Sequence, residues 1–147
     1  MKMTMKEATD VYKVLSGARL SKLSDEDKFG VIKLMRKLKP VAMSLLDFEA
    51  EARLRLQGDN HESIVKDTRK AQAAGEKSGL SKHRLDALVR YWDDYNARVK
   101  ACLKEEEEQE VEFDLEPLND AVVTLLIASN DWVCSEIMKL DVLMTEC

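Results

Sequence analysis

Apolar residues recur about every 3.5 positions over two long stretches, residues 24–56 and 81–105, and that period commits both stretches to helix rather than sheet. In the first, one line runs Val31, Leu38, Leu45, Ala52 and the next runs Leu34, Val41, Phe48. In the second, Leu85, Trp92 and Val99 alternate with Leu88, Tyr95 and Cys102. These are the a and d positions of successive heptads, the seam along which long helices pack. The pattern specifies an architecture and carries no chemistry of its own.

Composition points the same way. With 35% charged residues, five Gly and two Pro in 147 residues, the chain suits helices better than a sandwich or barrel. The length suits one core, so residues 1–147 are read as a single helical domain. The fold class expected is all-α: an elongated bundle on two heptad-patterned helices, the first kinked at Pro40, with a short acidic extended arm and an apolar C-terminal helix.

Local signals place the elements. Thr4 and Glu7 form the two halves of a capping box, and Gly17 is expected to stop the helix in a left-handed conformation. Ser24 followed by Asp25, Glu26 and Asp27 is the strongest helix start in the chain, a hydroxyl cap with three acids at the positive end of the dipole. Pro40 lies in that helix with the heptad lines in phase on either side, which predicts a kink rather than a break. A thinner helix over 60–74 presents Ile64, Val65, Thr68, Ala71 and Gln72, and a loop follows over 75–79. Ser81 caps the second long helix.

The net charge of -5 conceals an asymmetry. Residues 1–104 hold 22 Lys or Arg against 15 Asp or Glu, whereas residues 105–147 hold one Lys against 13 acids. The run 105–110 puts carboxylates at the negative end of a helix dipole and is expected to fray or form a solvated linker. Beyond it Val111, Phe113 and Leu115 alternate with acids, the period of an extended segment. No other stretch reads as its matching strand. Two placements stay open: an arm docking three apolar side chains on the helices, or a strand paired between subunits. Residues 117–144 are helical, apolar nearly all round over 121–127, and either continuous or restarted at Trp132 by the triplet Ser129-Asn130-Asp131.

Catalytic and ligand-binding patterns are weak. His61 and His83 lack a Glu three before or a His or Glu four after, so each reads as an ordinary surface residue, and no metal site is expected. Gly75 and Gly79 lack the strand and Lys-Ser/Thr of a phosphate loop. Cys102 reads as a core residue and Cys147 as a terminal thiol; three unpaired cysteines without C-x-x-C spacing suit a reduced, cytoplasmic protein. No run approaches the ~20 apolar residues of a membrane span, and Glu7 and Asp10 interrupt the place of a secretory core.

No catalytic residue, cofactor or small-molecule ligand is therefore expected, and no membrane. A protein partner is, by self-association or otherwise, because long helices in a small chain leave area that one another cannot cover. The candidate interaction surface is Leu85, Leu88, Trp92 and Tyr95, with Val111, Phe113 and Leu115 of the arm. Lys28, Lys33, Arg36, Lys37 and Lys39 form a basic stripe that could track phosphates, although the overall acidity disfavours nucleic acid. Were the acidic segment to mask that stripe, removing residues 105–116 is expected to release salt-sensitive DNA or RNA binding.

One combination of motifs covers most of the chain: Leu38-Lys39-Pro40 within a long helix, Asp47-Phe48-Glu49 soon after, and Ala128-Ser129-Asn130-Asp131-Trp132 near the C-terminus. It resembles a group of small helical proteins of unknown function from phage and prophage-like gene clusters. The resemblance implies a virus-associated accessory, assembly or chaperone role without catalysis.

Overall fold

The acidic arm does find a strand, and it lies at the opposite end of the chain. In the computed structural model, which describes residues 1–144 except the Glu76 side chain, Lys2–Thr4 (β1) pairs antiparallel with Glu110–Glu112 (β2), Met3 opposite Val111. The ladder extends at both ends: Phe113 N–H donates to the Met1 carbonyl at 2.8 Å, and Met5 N–H to the Gln109 carbonyl at 2.8 Å. The expectation that no stretch matches the arm is thus corrected. Three residues are too few to register as an alternating pattern, but Met3 is buried and Lys2 reaches Glu110 at 2.9 Å.

Helix accounts for 73% of the structure, in six α-helices among the described residues, and the sheet has only these two strands. The fold is mostly α. Two compact units are distinguished, one of Met1–Asp47 with the chain from Glu105 onward, the other Phe48–Lys104.

In the first unit, α1 (Met5–Ser16) opens on the expected capping box: the Thr4 hydroxyl accepts from Glu7 N–H at 3.1 Å, and the Glu7 carboxylate accepts from Thr4 N–H at 3.0 Å. Its C-cap is Gly17 at φ -96°, an ordinary conformation rather than the left-handed one expected. The turn closes instead with the Gly17 and Ala18 amides both on the Leu15 carbonyl, which needs no positive φ. Helix α2 (Asp25–Arg55) starts as expected, with Ser24 Oγ accepting from Asp27 N–H at 3.1 Å. It continues through Pro40, which sits on the exposed side. Proline in a helix interior costs ~3 kcal/mol. Burial of Leu38, Ala42 and Leu45 around it opposes that cost, at about 2 kcal/mol for each Leu.

Phe113 follows β2 into a core shared with Met3, Val11, Leu34, Leu38, Leu126, Leu140 and Leu143. Residues 117–144 form two helices, α5 (Asp120–Ser129) and α6 (Cys134–Lys139), with a 3₁₀ turn over Asp141–Leu143. Of the two alternatives left open, the chain restarts rather than continues, but at Cys134 and not at Trp132. Asn130 instead closes α5: its amide nitrogen donates to the Leu126 and Arg19 carbonyls at 2.8 and 2.9 Å, and its oxygen accepts from Arg19 N–H at 2.6 Å. Nor is α5 enclosed on several sides. Val123 and Leu126 are buried while Ala121 and Ile127 are exposed, because neighbours cover one side only.

In the second unit, α3 (His61–Ala74) buries Ile64 alone. Gly75 (φ 54°) and Gly79 (φ 77°) bracket a 3₁₀ turn over Gly75–Ser78 and supply the positive φ that reverses the chain. Ser81 Oγ accepts from Arg84 N–H at 3.1 Å, capping α4 (Lys82–Glu107). That helix runs on through Glu107, so the acidic run does not fray where the dipole argument placed its end. The β2 ladder begins two residues further on, with Met5 N–H on the Gln109 carbonyl, and the dipole effect opposing the acidic last turn is only ~0.3–1 kcal/mol.

Phe113→Ala is expected to destabilise the protein by about 3–4 kcal/mol in urea unfolding, the range for emptying a buried aromatic site. Glu108→Gln, on an exposed side chain five residues away, should stay within about 0.5 kcal/mol of the parent.

Candidate interaction surface

Of the seven residues expected to face a partner, three are buried within the chain and four are half-buried. In the second unit Leu88 and Tyr95 are buried, Leu85 and Trp92 half-buried. Tyr95, Val99 and Leu103 form a cluster with Phe48, Leu56, Tyr91 and Trp92. In the first unit Phe113 is in the core, and Val111 and Leu115 pack against it. Much of the apolar area at these positions is covered within the chain itself. Cys102, expected in the core, is half-buried, and Leu103 takes that place. Steps of four from Tyr95 to Val99 to Leu103 follow a straight helix better than a strict heptad, which would require supercoiling to keep Cys102 inward. The Arg55 guanidinium donates to Cys102 Sγ at 3.0 Å. Cys134 is a free, exposed thiol, and Cys147 lies outside the described residues.

His83 is exposed, whereas His61 is not an isolated surface residue. Its Nδ1 lies 2.6 Å from the Tyr91 hydroxyl, and its ring centroid is 5.4–5.8 Å from those of Tyr91, Trp92 and Tyr95. The polar ends of the cluster are satisfied: Trp92 Nε1 donates to Thr68 Oγ1 at 2.8 Å, and the Tyr95 hydroxyl to the Arg53 carbonyl at 2.7 Å. No sequence signal marks His61, because its partners stand about thirty positions away on α4. Edge-to-face contacts of this kind hold helices together. Among the described residues no group of three or more His, Cys, Asp or Glu could hold a metal ion.

Exposed apolar side chains lie elsewhere. On α2, Phe29 is 51% exposed and Ile32 is exposed beside it, with the Lys33 ammonium 4.6 Å above the Phe29 ring. On the C-terminal segment, Val133 and Met138 are 59% and 68% exposed, and Ile127 is exposed as well. An open groove of about 840 Å³ runs between α2 and residues 114–119, with Phe29, Lys33, Arg36 and Lys37 on one wall and Asp114, Leu115 and Glu116 on the other. Lys37 bridges it, donating to the Asp114 carbonyl with the carboxylate at 3.9 Å.

Elsewhere on this unit, the hydrogen bond from Lys6 to Asp10 (2.8 Å) holds the Lys6 ammonium above its ordinary 10.5. A raised cation contributes below its unfolded value and is lost as pH rises through the folded one, so the Lys6 contribution is present at neutrality and is lost in strong alkali. No helix among the described residues is long and apolar enough to cross a membrane.

Comparison with family models, with curated proteins and with solved structures finds no match to this chain.

Trp92→Ala is expected to cost about 3 kcal/mol in urea unfolding, since it removes both a half-buried ring and the bond to Thr68. Trp92→Phe should recover most of that loss. Equal effects from the two would show that the ring contributes little packing.

Proposed function

We propose that this chain is a non-enzymatic helical interaction protein of the cytoplasm, built on two heptad-patterned helices of which the first bends at Pro40. Its specific setting, on the resemblance of Leu38-Lys39-Pro40, Asp47-Phe48-Glu49 and the 128–132 segment, is a phage or prophage accessory or assembly role of chaperone type. The observation that carries the interaction reading is Phe29 with Ile32: large apolar side chains facing out from a helix whose other side, Val31, Leu34 and Leu38, already fills the core. Folding leaves 51% of Phe29 and 41% of Ile32 exposed to water. A partner that removes them from water gains ~25 cal/mol per Å² of apolar surface, and the flanking cations set its charge.

A photo-crosslinking side chain at position 32, in cells of the natural host, is expected to yield a covalent protein adduct. Irradiation that gives no protein adduct would sink the reading.

Lys37 on Asp114 favours a second reading, a small regulatory nucleic-acid-binding protein whose basic helix is masked by its acidic C-terminal segment. Excision of residues 105–116 is not a usable test, since it removes Phe113 from the core. Neutralising Glu110, Asp114 and Glu116 to their amides leaves Phe113 in place. On this reading it should create DNA or RNA retention on a filter that weakens steeply with salt; no retention at low salt would discard it.

A further inference from the structure

Phe29, Ile32, Arg36 and Lys39 recur at steps of three and four along α2, on the side away from Val31, Leu34 and Leu38, and all four are exposed. With Lys33 beside them they make an apolar strip edged by cations. The segment 127–141 is its electrostatic opposite: exposed Ile127, Val133 and Met138 are interspersed with Asp131, Glu136 and Asp141, and Lys139 is the only cation. Both surfaces belong to the same compact unit. Among the described residues, neither Lys33, Arg36 and Lys39 nor Asp131, Glu136 and Asp141 form ion pairs with one another within 4.0 Å, so within one chain the two surfaces do not neutralise each other.

We infer that the outer face of α2 docks on the 127–141 surface of a second copy of this chain. The exchange is reciprocal: a twofold axis brings each basic strip against the acidic one of its mate, making two equivalent contacts and a closed dimer. A polyanion would answer the cations and leave Phe29 and Ile32 without partners. The second copy answers both, and a chain of net charge -5 opposes approach to nucleic acid or anionic lipid. This inference rests on the protein-interaction reading and names its partner.

Reversed charges test it on the full-length protein by sedimentation velocity. The parent should dimerise at about 0.05 M salt and bind at least about tenfold more weakly at about 0.5 M, where screening shortens to a few Å. Lys33→Glu with Arg36→Glu, and separately Asp131→Lys with Glu136→Lys, should each abolish the dimer while keeping the parent's helical circular dichroism. An equimolar mixture of the two variants should form a heterodimer, because both contacts are then attractive again. Should either variant lose its fold, Lys39→Glu mixed with Asp141→Lys repeats the exchange with single changes.

A parent that stays monomeric at about 0.1 mM, a dimer indifferent to the reversals, or a mixture that does not associate overturns the inference. So does a basic-face reversal whose sole effect is loss of bound nucleic acid or of anionic-vesicle flotation. The crosslink at position 32 separates this failure from that of the reading beneath it. An adduct to a different protein ends the second-copy inference and leaves the interaction reading in place, whereas no protein adduct ends both.

Discussion

The first unit depends on one long closure, the pairing of Met3 with Val111 and the burial of Phe113 beside it. These contacts join positions more than a hundred residues apart, so their formation must overcome the entropy of closing a very large loop. Short strands alone could not; a three-residue ladder is marginal in water. Its stability comes from Phe113, which enters a core already containing Leu34, Leu38 and Leu126. The Thr4 capping box then starts α1 at the last residue of β1, so strand and helix are fixed in one step.

The helices were legible because their signals are local. A hydroxyl followed by acids at Ser24, a capping box at Thr4 and Ser81 before a long periodic stretch each describe a structure completed within a turn of chain. What escaped the sequence was non-local. The partner of the arm is three residues at the far end; His61 takes its setting from α4; Asn130 ends α5 by bonding to the backbone of Arg19. The heptad positions illustrate a third limit, because periodicity identifies the side that will be covered and not what covers it. Leu88, Tyr95 and Phe113 read as surface for a partner and are covered by their own chain, whereas Phe29 and Ile32 fall outside the pattern and remain open.

Charge has a similar two-level organisation. The asymmetry between residues 1–104 and 105–147 is evident from composition. Its local use is mixed: Lys2 meets Glu110 and Lys37 reaches Asp114, which tie the acidic segment to basic elements of the same unit. Exposed pairs of this sort contribute little to stability and so guide register more than they hold the fold. Most of the remaining charge is outward.

The first unit is discontinuous in sequence, with the whole of the second unit inserted between its halves. On the ribosome, at roughly 5–20 residues per second, the inserted residues 48–104 are all added before Phe113, the last of them by roughly half a second to two seconds. Through that interval Met3, Val11 and Leu38 wait without the side chains that later cover them. The chain therefore spends the most exposed moments of its synthesis with its N-terminal half unfinished. Sticky intermediates at that stage, more than any weakness of the finished fold, would govern how much native protein a cell recovers.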